Sequence, residues 1–262
     1  MKNDMMPTIF LGHGSPMMAL EDSNVTRKFK ELGDKIVSQF GKPKAIIAIS
    51  AHWFTKGSYV NSEKNPKQIY DMYGFPDELY QVKYPVEGLP ELAKRLADNE
   101  KLNLNINNEW GIDHGIWTVM VHMFPKADIP IVELSVDDNI STEEMYKFGQ
   151  EISKLRREGY LIVGSGNIVH NLRQVQWNNG KGTKESEEFD KYIKDSIINN
   201  KYENVINYKE NPSSMYAVPT PDHYLPLIYV LGASVGQKPR VFNEEISLGS
   251  ISMTSYAFGI EV

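Results

Sequence analysis

The chain has 262 residues, a net charge of −6 and no cysteine. That length supports one large domain or two small ones with a sizeable core, while the acidic balance gives no reason to expect nucleic acid as a partner and no apolar run approaches the roughly 20 residues that span a bilayer. The missing thiols exclude disulfides, thiolate metal sites and a cysteine nucleophile, so any metal must be held by imidazole and oxygen; the opening "MKNDMMPTIF" has no signal-peptide pattern, and a cytoplasmic protein is expected.

Strand-like and helix-like segments alternate along the whole chain. "TIFL" at 8–11 and "KAIIAIS" at 44–50 are short, nearly continuous apolar runs, the pattern of strands buried on both faces. Between them Val25, Phe29, Leu32 and Ile36 fall at helical spacing, with Gly41 as the stop. Leu89, Leu92, Ala93 and Leu96 repeat that spacing, and 129–136 is another strand. Ser141 and Glu144 make a capping box ahead of a stripe of Met145, Phe148, Ile152 and Leu155 that Gly159 closes. "YLIVGSG" is a buried strand, Phe189, Ile193 and Ile197 mark an amphipathic helix, and the last 17 residues read as one or two strands returning to the sheet. This rhythm predicts a single α/β domain over 1–262, with a central mixed, mostly parallel sheet and helices on both faces. Sites in such sheets gather at the carboxyl ends of strands.

Five of the six histidines follow that grammar. His13, His52 and His170 each follow an apolar strand and a turn of small residues, so parallel neighbours would bring them to one sheet edge. His114, in "WGIDHGIW", and His223, in "VPTPDHYLPL", lie where loops enter helices. His122 sits mid-helix and is assigned to packing or the helix surface. A single histidine at a strand end is more often a hydrogen-bonded structural residue than a ligand; five of six at junctions change that balance. Imidazole suits Zn, Cu, Fe and Ni, and a site without thiolates is expected to be catalytic with open positions. Asp222 and Asp113, each beside a histidine, are either ligands or carboxylates that orient the neighbouring ring. Trp53 and Trp117 read equally as walls for an aromatic substrate and as core, and "SSMYAVPTPDH" as a lid bearing Tyr216 or a turn-rich surface loop. Gly164 and Gly166 lack the lysine or third glycine of a nucleotide loop, which excludes that reading.

Five motifs in order, "GHGSP", "SAHW", "DHGIW", "GSGNIVHN" and "PTPDHYLPL", resemble the DODA-type extradiol aromatic ring-opening dioxygenases of the class III extradiol superfamily, over nearly the whole chain. The resemblance implies a three-layer α/β sandwich. It implies one divalent ion held by His13, His52 and His223, where the wider superfamily has a glutamate in the third place. His170 is implied as acid/base, close enough in metal-bound relatives to count as a fourth ligand, and His114 as a catalytic residue beside the substrate hydroxyls. The implied substrates are O₂ and a catechol such as 3,4-dihydroxyphenylalanine. Fe(II) is expected for activity and Zn(II) in protein as isolated, because zinc binds such sites more tightly. Neither nucleic acid nor membrane is an expected partner; oligomeric state stays open, a monomer being compatible. Two other readings stand beside this one: a zinc hydrolase using the same histidines with metal-bound water, and a non-catalytic metal-binding protein, for which a spare base at His170 has no evident use.

Overall fold

An apolar run such as that at 45–49 suits a strand only if both faces are covered, and the computed structural model, which describes residues 5–177 and 179–262, covers them. The strands are β1 (Thr8–Gly12), β2 (Ala45–Thr55), β3 (Ser58–Val60), β4 (Leu104–Ile106), β5 (Ile131–Asp137), β6 (Tyr160–Gly166) and β7 (Pro239–Phe242). β8 (Ile246–Ser247) and β9 (Ile251–Ser252) pair with each other, and β10 (Ser255–Phe258) rejoins the main sheet. That sheet has eight strands in the order β4-β3-β5-β2-β6-β1-β10-β7. Its centre, β5-β2-β6-β1, is parallel, while β3 meets β5 and β10 meets β1 antiparallel. The fold is therefore mixed and mostly parallel, and the four central carboxyl ends share one edge.

The helices are α1 (Asn24–Phe40), α2 (Asp77–Gln81), α3 (Pro90–Ala97), α4 (His114–Met123), α5 (Thr142–Ile152), α6 (Lys184–Ile198), α7 (Tyr202–Ile206), α8 (Ser214–Ala217) and α9 (Pro226–Ala233). Alternation along each strand sorts the core into two layers. Ile9, Leu11, Ile46 and Ala48 face α1 and α4 through Phe29, Leu32, Ile116 and Met120. Phe10, Ile47, Ile49 and Val132 face α5, α6 and α9 through Phe148, Phe189, Ile193 and Leu231. Those two buried layers make the three-layer arrangement. No helix among the described residues is long and apolar enough to cross a membrane.

Several boundaries differ from the sequence reading. The stripe ending at Leu155 is not one α-helix: α5 stops at Ile152 and a 3₁₀ turn, Ser153–Glu158, follows before Gly159 closes it at φ +96°. The tighter turn aims Arg156 into the interior, where its guanidinium donates to the carbonyls of Met6 and Ala233 and to Gln237 Oε1. It thereby joins the start of β1 to the end of α9. The short strands β3, β4 and β7, at or next to the sheet edges, have no apolar run long enough to announce them. β2 extends past residue 50 through a register shift between Ile49 and Phe54, so His52 lies within a strand rather than after one. Such an irregularity bends the strand and re-aims its side chains. The first four residues of the "MKND" opening lie outside the described residues.

Candidate active site

Every strand-end histidine arrives at the shared edge. His13 follows β1 directly, and its neighbours are small for steric reasons. Gly14 sits at φ +58°, a conformation that favours glycine, and a Cβ on Gly12 would lie 2.6 Å from the Met253 carbonyl oxygen. The glycines of "GSG" act on the opposite wall. A Cβ on Gly166 would lie 2.1 Å from the His223 carbonyl oxygen, so only glycine lets the 221–226 segment close on the end of β6 and deliver His223. Asn167 then accepts nothing from that segment but donates its backbone N–H to the same His223 carbonyl at 2.8 Å.

The ring centroids of His13, His52 and His223 form a nearly equilateral triangle with sides of 4.8, 5.1 and 5.2 Å. His52 Nε2 and His223 Nε2 face each other at 3.2 Å. His114 joins from the α4 N-terminus: its ring nitrogen and those of His13 and His52 lie within 4.8 Å of one another. His170 stacks flat on His223, centroids 3.5 Å apart and planes 6° from parallel. The structure thus brings together all five histidines singled out from their junctions. It leaves His122 apart, its Nε2 on the Met18 carbonyl at 2.8 Å.

What lies behind each ring decides which nitrogen faces the centre. The Ser165 hydroxyl donates to the Gly115 carbonyl at 2.5 Å, so it can only accept from His13 Nδ1, 2.9 Å away. That fixes the proton on Nδ1 and leaves Nε2 with a free lone pair. Asp222 Oδ2 holds His223 Nδ1 at 2.5 Å in the same way. Asp71 reaches two rings, His52 Nδ1 at 2.7 Å and His114 Nδ1 at 2.9 Å. Both approaches lie off the line of the ring N–H, so they are close charge–dipole contacts rather than well-directed hydrogen bonds. Asp71 also accepts the His114 backbone N–H at 2.9 Å. Asp113 stands further back: it accepts from Ser50 Oγ at 2.7 Å and Trp110 Nε1 at 3.1 Å, and lies 3.9 Å from His52 Nδ1.

Burial pushes the pKa of His13 and His223 well below the usual histidine value, reinforced by the neighbouring imidazoles. Burial also lowers His114, partly opposed by Asp71, and lowers His170 to about 4. At His52 burial is outweighed by Asp71, Asp113 and Asp222, and the pKa is raised. Asp71 is held far below the carboxylate range: burial opposes this, and His114 and His52 overcome it.

This donor set fits a divalent ion. Asp222 holds His223 Nδ1, so His223 Nε2 carries a lone pair, and a cation can take it together with His52 Nε2, 3.2 Å away, in place of the proton the two rings otherwise share. Ligands about 2.1 Å from an ion put ring centroids roughly 3.2 Å from it, and near-tetrahedral angles then separate the centroids by about 5 Å. The triangle observed has that size.

The cluster opens to a cavity of about 360 Å³ lined by Ala51, His52, Phe54, Asp71, Trp110, His114 and Asp222. Phe54 and Trp110 are its aromatic walls. Trp53 and Trp117 are not: both are buried, and Trp117 Nε1 donates to the Ile69 carbonyl. Tyr216 is tied down, its hydroxyl accepting from Thr183 Oγ1 at 3.0 Å and its carbonyl from Asn171 Nδ2 at 2.7 Å. Sequence reasoning missed Asp71, Trp110 and Ser165. Ser165 carried a signal, a hydroxyl at the end of a buried strand; Asp71 carried none, because its segment has no periodic pattern.

The histidine shifts make the metal-free protein acid-sensitive. His13, His114, His170 and His223 take up protons on unfolding once pH falls below about 6.5, and the folded state resists them down to about 4 at His170. Two carboxyls kept protonated by burial, Glu133 and Asp190, act in the opposite sense. His52, whose pKa is raised, adds to that opposite side, and four sites against three leave stability falling as pH falls below about 6.5. Melting temperatures of chelator-treated protein between pH 7.5 and 4.5 should therefore drop on the acid side; a flat profile would contradict the neutral, buried cluster.

The family described as "Catalytic LigB subunit of aromatic ring-opening dioxygenase" matches residues 7–259. The chain is 41% identical to the 4,5-DOPA dioxygenase extradiol of Escherichia coli K12 over 99% of this chain and 97% of that protein. It is 37% identical to the 4,5-DOPA dioxygenase extradiol of Beta vulgaris over 98% of both. A solved structure of an uncharacterized protein from Escherichia coli K12 superposes with a TM-score of 0.83 at 38% identity, covering 97% of this chain and all of that one.

Proposed function

Because the chain belongs to the family of the catalytic LigB subunit of aromatic ring-opening dioxygenase, and is an extradiol dioxygenase on that footing, we propose that it opens the ring of a small catechol with O₂ at one divalent ion held by His13, His52 and His223. The observation that carries this reading is the triangle of three imidazoles, two of them buried with Nδ1 occupied by a directed partner behind the ring, beside an aromatic-walled cavity. An ion bound there would supply Lewis acidity and, as Fe(II), the electron route between catechol and O₂. His223 is preferred over His114 as third ligand, since it completes the more regular triangle and its Nδ1 is anchored by Asp222.

The remaining residues act on the substrate and its protons. Phe54 and Trp110 flank the ring, and His114, in the cavity lining, meets a catechol hydroxyl. His170 is neutral at neutral pH and takes the proton released when the catechol binds. A substrate anion beside it opposes the lowering of its pKa, which brings the imidazole back toward the range where it accepts a proton and later returns it. The names of the relatives point to 3,4-dihydroxyphenylalanine as the catechol to try first. The experiment is anaerobic reconstitution with Fe(II), then oxygen uptake and absorbance with a panel of catechols. Stoichiometric uptake with a yellow ring-opened product is expected. No uptake with any catechol, from protein shown to hold iron, would overturn the proposal.

A further inference from the structure

β5 reads IVELSVD, and its polar side chains Ser135 and Asp137 accept hydrogen bonds from β3. Glu133, its third residue, is 0% exposed, and neither carboxyl oxygen finds a well-aligned hydrogen bond. It shares the sheet face of Ile131, toward α4, and pairs across with Ala48 of β2. On that face Ser50 follows Ala48 by two residues, and its Oγ donates to Asp113, the residue that precedes α4, at 2.7 Å, which sets Asp113 over Glu133. Burial first, then Asp113, drives its pKa well above the usual carboxylate range, so it is a neutral acid with one O–H to give and one carbonyl oxygen to accept. Those two functions match what Asp113 presents. Packing alone would be served better at this position by an aliphatic side chain, because a buried polar group without a good partner costs stability.

Asp113 is the hub above it. Its two oxygens take the hydrogen bonds of Ser50 Oγ and Trp110 Nε1, and one lies 3.9 Å from His52 Nδ1. Ser50 Oγ in turn accepts the His52 backbone N–H at 3.2 Å. The space is closed on the other side, since a Cβ on Gly115 would lie 3.1 Å from Asp113 Oδ1 and 3.0 Å from Ser50 Oγ. Where Asp113 sits therefore decides where one ligand ring and one wall of the cavity sit.

We propose that Glu133 is a positioning residue: it clamps the side chain and backbone of Asp113 from beneath, and through Asp113 sets the His52 ring and the Trp110 wall. This rests on the reading of His52 as a ligand and Trp110 as a substrate wall. The test compares E133L, which fills the space without polar atoms, with E133Q, whose amide can accept from the Asp113 N–H and donate to its carboxylate. Each is examined as purified full-length protein by melting temperature after chelation, Co(II) affinity by competition, the visible spectrum of the Co(II) form, and kcat and KM on a catechol. E133L is expected to melt no lower than the parent, yet to bind Co(II) about 10–100-fold more weakly with an altered spectrum, the usual effect of losing support behind a ligand. Its KM should rise as Trp110 loosens, and E133Q should recover most of each loss. In a D113N background E133L should cost much less, because the effect runs through Asp113. Parent-like Co(II) affinity and spectrum in E133L, equal losses in E133L and E133Q, or full additivity with D113N would each overturn the proposal. If E133L does not fold, E133M carries the same comparison. Co(II) binding needs no turnover, so a parent enzyme that cleaves no catechol would refute the functional reading and leave this test intact.

Discussion

His13→Ala should lose bound metal and turnover together. The ring is 1% exposed at the end of β1, and its Nε2 lone pair is guaranteed by the relay from Nδ1 through Ser165 to the Gly115 carbonyl. Tetrahedral protein zinc sites bind with about 10–16 kcal/mol in all, which apportions roughly 3 kcal/mol or more to each ligand and upward of 10²-fold in affinity. Two imidazoles would then have to hold the ion, one of them facing the cavity. Metal content after dialysis and the rate on the same Fe(II)-reconstituted sample test this directly. Ser165→Ala is the graded control: it frees the His13 tautomer without removing the ligand, and should weaken binding about 10–100-fold. A His13→Ala protein that retains one ion per chain would shift the centre of the site toward His52, His114 and the carboxylates.

His170→Ala should do the reverse, keeping most of the metal while turnover falls about 10²–10⁴-fold, the usual worth of a positioned proton-transfer group. The stacking geometry is the reason for separating it from the ligands. His170 lies flat on the His223 ring, centroids 3.5 Å apart, so a group held by His223 would not lie in line with the nitrogens of His170. Its nitrogen lone pairs point elsewhere in that arrangement. The variant also removes the neighbouring imidazole that lowers His223, so metal affinity at neutral pH should not suffer electrostatically. Parent-rate cleavage by the variant would move the proton-transfer role to His114, and metal loss equal to that of His13→Ala would make His170 a ligand.

Much of this site was legible before any tertiary contact was known, and for a local reason. A histidine behind an apolar strand, a glycine pair and a helix-entry proline are neighbours in sequence, so strand-end placement could be read at His13 and His170, and helix entry at His223, from the local pattern alone. The capping box at Ser141 and the two faces of the central strands were readable on the same basis. His52, expected just after its strand, lies within it; the shift between Ile49 and Phe54 is defined by the pairing with β5 and leaves no trace in β2 itself.

What the chain determined by itself, then, was the order of strands and helices and which imidazoles end up at their junctions, because backbone propensity and apolar spacing act over a few residues. Only the tertiary structure decided what stands behind those imidazoles. Asp71 meets His52 and His114 from an irregular segment, Ser165 takes its role from Gly115 on α4, and Trp110 rather than Trp53 or Trp117 faces the cavity. Glu133 reads in sequence as one charge in a strand, and becomes a neutral buried acid because the closed layers take it out of water, an effect Asp113 reinforces. Such roles are set by desolvation and by partners dozens of residues away, quantities that exist only once the sheet and its two helical layers have closed.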